Sequence, residues 1–542
     1  VEKRIKNRAS QIKLPLFIAL AVICGIFIGA GTANKGGAGN ITGTYMRFLE
    51  IINHIEKDYV DTVNLDELVD YSITQMLEKL DPHTSYIAKK DIDIARSQLE
   101  GDFEGIGIEF NIIKDTIYVV APISGGPSEQ VGLQAGDKIV KVDGELVAGK
   151  AFTNNDVFKR LRGKKGTKVI VTIKRKGNSK LIDYTIIRDK IPTYSVDAFY
   201  MIDEKSGYIK VNRFAANTYD EFSAALSELK KAGMTQLILD LKDNPGGYMD
   251  KAIKMADDFI VGNKLIVYTD GKDSKYDSRH KSTSFGDFEQ GALIVLINEG
   301  SASASEIVSG ALQDNDRALV VGRRSFGKGL VQMPIPLSDG SELRLTISRY
   351  YTPSGRSIQK HYDSKHTEDY NSELTKRFEK GEYFHADSIK FVDSLKFKTV
   401  HGRIVYGGGG IMPDYFVPRD TTAFTHYLID LFNQNVIREY TLNYYAANKS
   451  SLSKMEFADY KKNFQVTESM LADLKALATK SGVKHNEKEY AISKEYIRTN
   501  MKAYIARSVW GTKGFYPIYN ETDEIYREAL KLFNEAEKLN QK

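Results

Sequence analysis

The chain places the three serines of Gly300-Ser301-Ala302-Ser303-Ala304-Ser305-Glu306-Ile307 close to the enclosed lysine of Gly322-Arg323-Arg324-Ser325-Phe326-Gly327-Lys328-Gly329. Two chemistries fit these residues. A serine hydroxyl becomes a nucleophile once a base takes its proton, and a lysine held neutral by burial is such a base. The spacing Gly322-x-x-x-x-Gly327-Lys328 also imitates a phosphate-binding loop. Position 329 argues against a nucleotide, because Gly329 stands where a Mg²⁺-binding Ser or Thr belongs. The following Leu330-Val331-Gln332-Met333-Pro334-Ile335-Pro336 reads as a strand, whereas bound phosphate needs a helix N-terminus there. No histidine lies between Lys281 and His361, so a Ser-His-Asp arrangement would need a distant partner.

The elements that must hold these residues are a strand and a helix. Ala292-Leu293-Ile294-Val295-Leu296-Ile297 reads as a buried strand, and a helix is expected over Ser305 to Leu312. A serine at that junction stands at the positive end of a helix, where a developing oxyanion is stabilised. The same residues spell Ser-x-x-Glu from Ser303 to Glu306, a capping box in which Ser303 only closes the helix. The motif alone leaves both roles open. Residues 191–420 alternate apolar strands and helices, the pattern of an α/β core. Asn244-Pro245-Gly246-Gly247 follows a strand ending at Asp240, so a glycine N–H there is able to approach a ligand; a plain helix-entry turn is the alternative. A charged stretch from His361 to Lys398 reads as a surface helix or long loop.

Helical spacing over Thr44 to Asp58 and Leu65 to Leu80 predicts a small N-terminal module, 41–100, whose second helix stops at Asp81-Pro82-His83-Thr84-Ser85-Tyr86. From Gly101 to about Asp189 the period switches to strands, with short helices near Pro127 and Asn154. That order resembles a PDZ domain, 101–190. Gly105-Ile106-Gly107-Ile108 matches its carboxylate-binding loop and Gly132 to Asp137 the turn after its first helix. Backbone N–H groups of such a loop hold a peptide C-terminus while the peptide adds to the sheet edge. The final part, 421–542, reads as a helical extension.

At 542 residues the chain exceeds one hydrophobic core. Most of its +5 charge sits in Lys3, Arg4, Lys6, Arg8 and Lys13, so the body is nearly neutral and nucleic-acid binding gains no support. That basic start runs into the apolar residues 14–33, long enough to span a bilayer with the positive residues on the cytoplasmic side. Residues 1–40 are therefore expected to be a basic region, a membrane segment and a Gly-rich linker. An uncleaved anchor is preferred, with cleavage after Ala33 as the alternative. The expected location is the inner membrane with the catalytic portion in the periplasm or cell envelope, or a cleaved secreted or periplasmic form. Cys24, the only cysteine, lies inside the apolar run, which excludes intramolecular disulfides, cysteine-built metal sites and, in practice, cysteine catalysis.

Ser-Ala-Ser-Ala-Ser-Glu-Ile followed by Phe-Gly-Lys-Gly and Gln resembles the carboxyl-terminal processing, or tail-specific, proteases. The likeness takes in Leu80 to Tyr86, the PDZ region, Asp240 to Gly247 and Thr352 to Gln359, and covers about residues 45–420. It implies a multidomain α/β fold: a crotonase/ClpP-like serine-protease core with an inserted PDZ domain and helical N- and C-terminal extensions. It implies Ser303 as nucleophile, Lys328 as general base and Gln332 as the residue orienting the lysine. An oxyanion hole from the Ala304 N–H and that of Gly246 or Gly247 is implied too. Asp314 matches a position influential in some relatives, with a solvent-facing residue as the alternative reading, and Arg162 one that couples the PDZ domain to the active site.

The expected activity is that of a serine endopeptidase of Ser–Lys type, working without metal or other cofactor on protein substrates with exposed C-termini, unstructured tails or precursors. A homodimer through the helical extensions is a further expectation. The competing class is a catalytically silent PDZ scaffold or envelope chaperone, in which Ser303 caps a helix and Lys328 pairs with a carboxylate.

Overall fold

The computed structural model describes residues 41–540 save 124, 364–368, 371 and 391. The expected membrane segment, 14–33, lies outside the described residues. Among the described residues no helix is long and apolar enough to cross a membrane.

The chain divides into two compact units between Met76 and Leu77. The first contains the helix Ile41–Asp58 and nearly all of Leu65–Leu77. Ile41–Asp58 has no buried residue, and its Ile41, Tyr45, Met46, Phe48 and Ile51 are exposed. The expected 41–100 module is thus split. Its second half holds a strand, Ser85–Ile87, which pairs with Glu342–Tyr351 far along the chain. Three residues are too few for a periodic signal, so only the turn before them was visible in the sequence.

In the second unit a six-stranded sheet runs in the order Val196–Met201, Ser206–Val211, Gln236–Asp240, Leu293–Ile297, Leu319–Gly322, Tyr415–Phe416. Every pairing from Ser206–Val211 onward is parallel. Parallel strands are buried on both faces, which is why they read as unbroken apolar runs. One face, with Leu237, Leu239, Leu293, Val295 and Ile297, packs on the helices Thr218–Lys231, Met249–Asp257 and Ala304–Asp314. The other, with Tyr208, Ile238, Ile294 and Leu296, is covered by Ile525, Tyr526, Ala529, Phe533 and Ala536. Those residues come from the last two helices, Glu524–Ala529 and Phe533–Asn540. The end of the expected helical extension is therefore a layer of the α/β core, and the rest, from Tyr427 to Ile518, forms a helical core of its own.

A second, antiparallel sheet pairs Glu342–Tyr351 with Leu330–Pro336 on one edge and with Ser85–Ile87 and Leu265–Gly271 on the other. The PDZ strands Ile108–Ile113, Thr116–Pro122, Lys138–Val142, Lys168–Lys174 and Ile182–Ile187 form a separate sheet with its own apolar core. Its outer face meets the helical extension through polar pairs, Arg438 to Asn111 at 2.8 Å and Lys114 to Glu439 at 2.9 Å.

The 361–398 stretch, expected as a surface helix or long loop, is partly helical but not wholly at the surface. It contains the helix Glu373–Glu379, and its Arg377 is buried, donating to the Ser325 carbonyl at 2.7 Å. A charged composition predicted solvent; the guanidinium instead serves backbone carbonyls of the loop before Lys328.

Candidate active site

The three serines have different fates. Ser301 is fully buried, its Oγ donating to the Leu241 carbonyl at 2.8 Å and accepting the Asn298 N–H at 2.9 Å. Ser305 is also buried and donates to the Asn244 carbonyl at 2.9 Å. Ser303 lines a cavity of about 910 Å³ together with Lys328, Gln332, Gly246, Gly247 and His83. Two serines hold the turn and the third faces open space.

Ser303 sits between the strand Leu293–Ile297 and the helix Ala304–Asp314, at φ 55° and ψ −112°. A non-glycine residue at positive φ costs of order 1–3 kcal/mol and persists only where its surroundings hold it. Sharp strand-to-helix turns of this kind lift a nucleophilic serine out of the backbone. Part of the hold is Glu306, whose Oε2 accepts the Ser303 N–H at 2.8 Å in the capping-box geometry that the sequence spelled. The helix behind is buried at every residue, so its start has little freedom.

Glu306 does more than cap. The same Oε2 accepts the Lys328 N–H at 2.9 Å, while Oε1 accepts from the Gly327 N–H at 2.7 Å and Ser325 Oγ at 2.5 Å. One carboxylate thus joins the backbone of Ser303 to that of Lys328. Burial pushes its pKa up to about 7 against the pull of those four donors. Tyr350, buried in the strand Glu342–Tyr351, fastens the same two residues from the other side. Its hydroxyl shares its one hydrogen between the Ser303 carbonyl, at 3.1 Å, and that of Lys328. From the sequence Glu306 is expected only as a cap, and Tyr350 is not expected at the site. Ser-x-x-Glu was the available signal for the first, and nothing local marked the second.

Lys328 lies in the loop between Leu319–Gly322 and Leu330–Pro336, followed by a strand where a phosphate-binding loop would be followed by a helix. Burial lowers its pKa from the ordinary lysine value; Glu306 and Asp81 pull it back in part, and Arg344 adds to the lowering. Gln332, in the adjoining strand, turns its Nε2 to Thr346 Oγ1 at 3.2 Å. His83 was not among the candidates and comes from far upstream. Its Nε2 meets the Tyr370 hydroxyl at 2.6 Å, and burial followed by the charge of Lys328 lowers its pKa to about 4.

Gly246 and Gly247 enter the site at φ 96° and φ 144°. A Cβ on Gly246 would come within 2.7 Å of the Ser303 Cβ, and one on Gly247 within 2.1 Å of the Phe214 carbonyl oxygen. Only glycine permits either approach. The Gly246 N–H donates to Asn244 Oδ1 at 2.9 Å. Among the described residues no protein acceptor takes the Gly247 N–H or that of Ala304, one of the orphan donors of a helix's first turn.

The remaining candidates lie elsewhere. Asp314 is fully buried and away from the cavity, paired with the equally buried Arg356 at 2.8 Å, so it is not solvent-facing. Arg162 ends the helix Asn154–Leu161, stacks on Phe103 and Phe158 at 4.5 and 4.4 Å, and donates to Ser97 Oγ at 2.8 Å. Gly105 closes the strand Asp102–Gly105 and Ile108 opens the next, with Ile106 and Gly107 as the loop between, Gly107 at φ 72°. No cluster of metal-ligating residues occurs among the described residues.

Comparison with known proteins places this arrangement. Residues 205–370 match peptidase family S41, 105–186 match the PDZ domain, and 427–511 match a family of unknown function. A carboxy-terminal-processing protease of Bartonella bacilliformis is 38% identical over 348 residues, 62% of this chain and 79% of the relative. A probable CtpA-like serine protease of Staphylococcus haemolyticus is 34% identical over 361 residues, 66% of this chain and 72% of the relative. A solved photosystem II D1 C-terminal processing protease is 30% identical, covering 58% of this chain and 89% of that one, with a TM-score of 0.34. With the glycine-flanked lysine, the cavity-lining serine and the inserted PDZ domain in one chain, the protein belongs to peptidase family S41 and is a PDZ-bearing serine peptidase.

Proposed function

We propose that Ser303 attacks the scissile carbonyl of a protein substrate while Lys328 takes the Oγ proton and later delivers it to the leaving amine. The carrying observation is that Ser303, alone of the three serines, lines the cavity that Lys328 and Gln332 also line. The N–H groups of Ala304 and Gly247 hold the oxyanion; Gly246 serves by letting the chain approach Ser303. Preorganised donors of this kind contribute the larger share of rate enhancement in acyl transfer. Gln332 orients the lysine. Desolvation without a direct carboxylate partner supports Lys328 as the base, since it favours the neutral amine.

The PDZ loop Gly105 to Ile108 takes the C-terminal carboxylate of the substrate, making the enzyme a carboxy-terminal processor of unstructured tails and precursors. Residues 14–33 hold it at the inner membrane with the catalytic portion in the periplasm or envelope; five basic residues ahead of an apolar run support this. The exposed apolar side chains of Ile41–Asp58 support a homodimer through that helix.

A dye-labelled casein tests the mechanism. Ser303→Ala and Lys328→Ala are each expected to abolish cleavage, and cleavage at the wild-type rate by either would reject it. His83 lines the same cavity and offers the second reading, a histidine base. His83→Ala with Lys328 intact separates the two, since only a histidine base loses all activity. A quenched peptide with a free C-terminus should have a lower KM than its amide if the PDZ role holds.

A further inference from the structure

The turn Asp81-Pro82-His83-Thr84 precedes the PDZ domain by some twenty residues and contributes none of the expected catalytic groups, yet it lies against the active site. The pairing of Ser85–Ile87 with Leu343, Arg344 and Glu342 carries it there. Asp81 and Thr84 are each 6% exposed. Asp81 Oδ1 accepts the His83 and Thr84 N–H groups at 2.8 Å each, and Oδ2 accepts Thr84 Oγ1 at 2.6 Å. These bonds close the turn within itself. Two further bonds do not. Thr346 Oγ1 donates to Asp81 Oδ1 at 3.1 Å, and the Thr346 N–H donates to Thr84 Oγ1 at 3.1 Å.

The polarity of this chain is forced. An ionised carboxylate only accepts, so the Thr346 hydroxyl spends its one hydrogen on Asp81 and has only lone pairs to offer elsewhere. The group that meets those lone pairs is Gln332 Nε2, at 3.2 Å. An amide that presents its NH₂ to Thr346 keeps its carbonyl oxygen for a donor, and the amine of Lys328 is among the donors lining the same cavity, with Arg96, Arg344 and His83. Without Asp81 the hydroxyl is free to donate to Gln332, and the amide turns over. Its NH₂ would then face the lysine, a donor against a donor.

We propose that Asp81 is a positioning residue for the general base, fixing the orientation of the Gln332 amide through Thr346 so that its carbonyl oxygen is presented to Lys328. The inference rests on Lys328 being the base. The charged and titratable groups facing that lysine are Glu306 from the helix behind Ser303, Asp81 and His83 from the turn, and Arg344 from the neighbouring strand. Asp81 is one of the two carboxylates raising the lysine pKa, so loss of its charge also has a signature in pH.

The test uses the full chain and labelled casein, with kcat and KM measured from pH 5 to 10. Thr346→Val removes the relay hydroxyl while keeping its shape; it is expected to lower kcat about tenfold with KM within twofold. Thr346→Ser, which restores the hydroxyl, is expected to recover most of the loss. Neither should move the acid limb of kcat/KM. Asp81→Asn removes the charge and should shift that limb to lower pH. Wild-type kcat in Thr346→Val overturns the proposal, as does equal impairment of the Val and Ser variants or an unmoved limb in Asp81→Asn. If Lys328→Ala is itself active, the parent reading has failed instead. An inactive Lys328→Ala beside a wild-type Thr346→Val sinks the positioning role alone.

Discussion

Lys242 and Lys328 are both largely withdrawn from water, and their surroundings shift them in opposite directions. Lys242 is buried where the parallel sheet meets the C-terminal helices, paired with Asp523 and with Asp240 at 3.5 Å. Burial pulls its pKa down, but the two carboxylates more than reverse this and leave it raised. Lys328 has only the more distant influence of Glu306 and Asp81, so burial wins and its pKa is lowered. Burial lowers a lysine's pKa and nearby carboxylates raise it; at Lys242 the carboxylates win and at Lys328 burial does. The linkage has opposite sign as well. The stability that Lys242 supplies is fully present below the ordinary lysine pKa and is lost only as pH rises through its raised value. Lys328 disfavours folding wherever it is protonated, and that cost disappears as pH rises from its lowered value to the ordinary one.

The sharpest way to break the comparison is to delete each lysine. Lys328→Ala should lower casein cleavage at least about 10³-fold with little change in urea denaturation, because it removes a group the fold does not favour. Lys242→Met should do the reverse, costing about 3 kcal/mol or more in urea denaturation, since it strands the partly buried Asp523, while kcat of the folded protein stays within a few-fold. Glu306→Gln stands between the two. One amide end would face donors where the carboxylate accepted four, a cost of about 2 kcal/mol for groups left unmatched. Activity should fall as well, because the shared tie between the Ser303 and Lys328 backbones is weakened. Arg162→Ala concerns a half-buried cation held by rings and Ser97 rather than by carboxylates; it should raise KM for casein about two- to threefold and leave cleavage of short peptides unchanged.

The serine, the lysine and the glycine turn were legible because each sits on a strand end with glycines or a capping signal beside it. The PDZ strands were legible by alternation. What escaped depends on pairing across long separations. Asp81 and Thr346 are 265 positions apart, and Lys242 and Asp523 are 281 apart. Helical periodicity around Tyr526 and Phe533 reveals an apolar face without saying what that face covers, so the second layer of the α/β core read as an extension. Arg377, in a charged stretch, read as surface for the same reason. Asp314 read as either an influential position or a solvent-facing one, and its burial against Arg356 removes the second reading.

The pH dependence of kcat/KM for casein cleavage, measured on wild type, Lys328→Ala and His83→Ala, tests the central claim most directly. Activity should rise with pH through a single acid limb below the ordinary lysine value, as the depressed amine loses its proton. Lys328→Ala should erase the activity, and His83→Ala should retain the limb. A Lys328→Ala enzyme that keeps the limb, or a His83→Ala enzyme that loses it, would contradict a lysine base for Ser303.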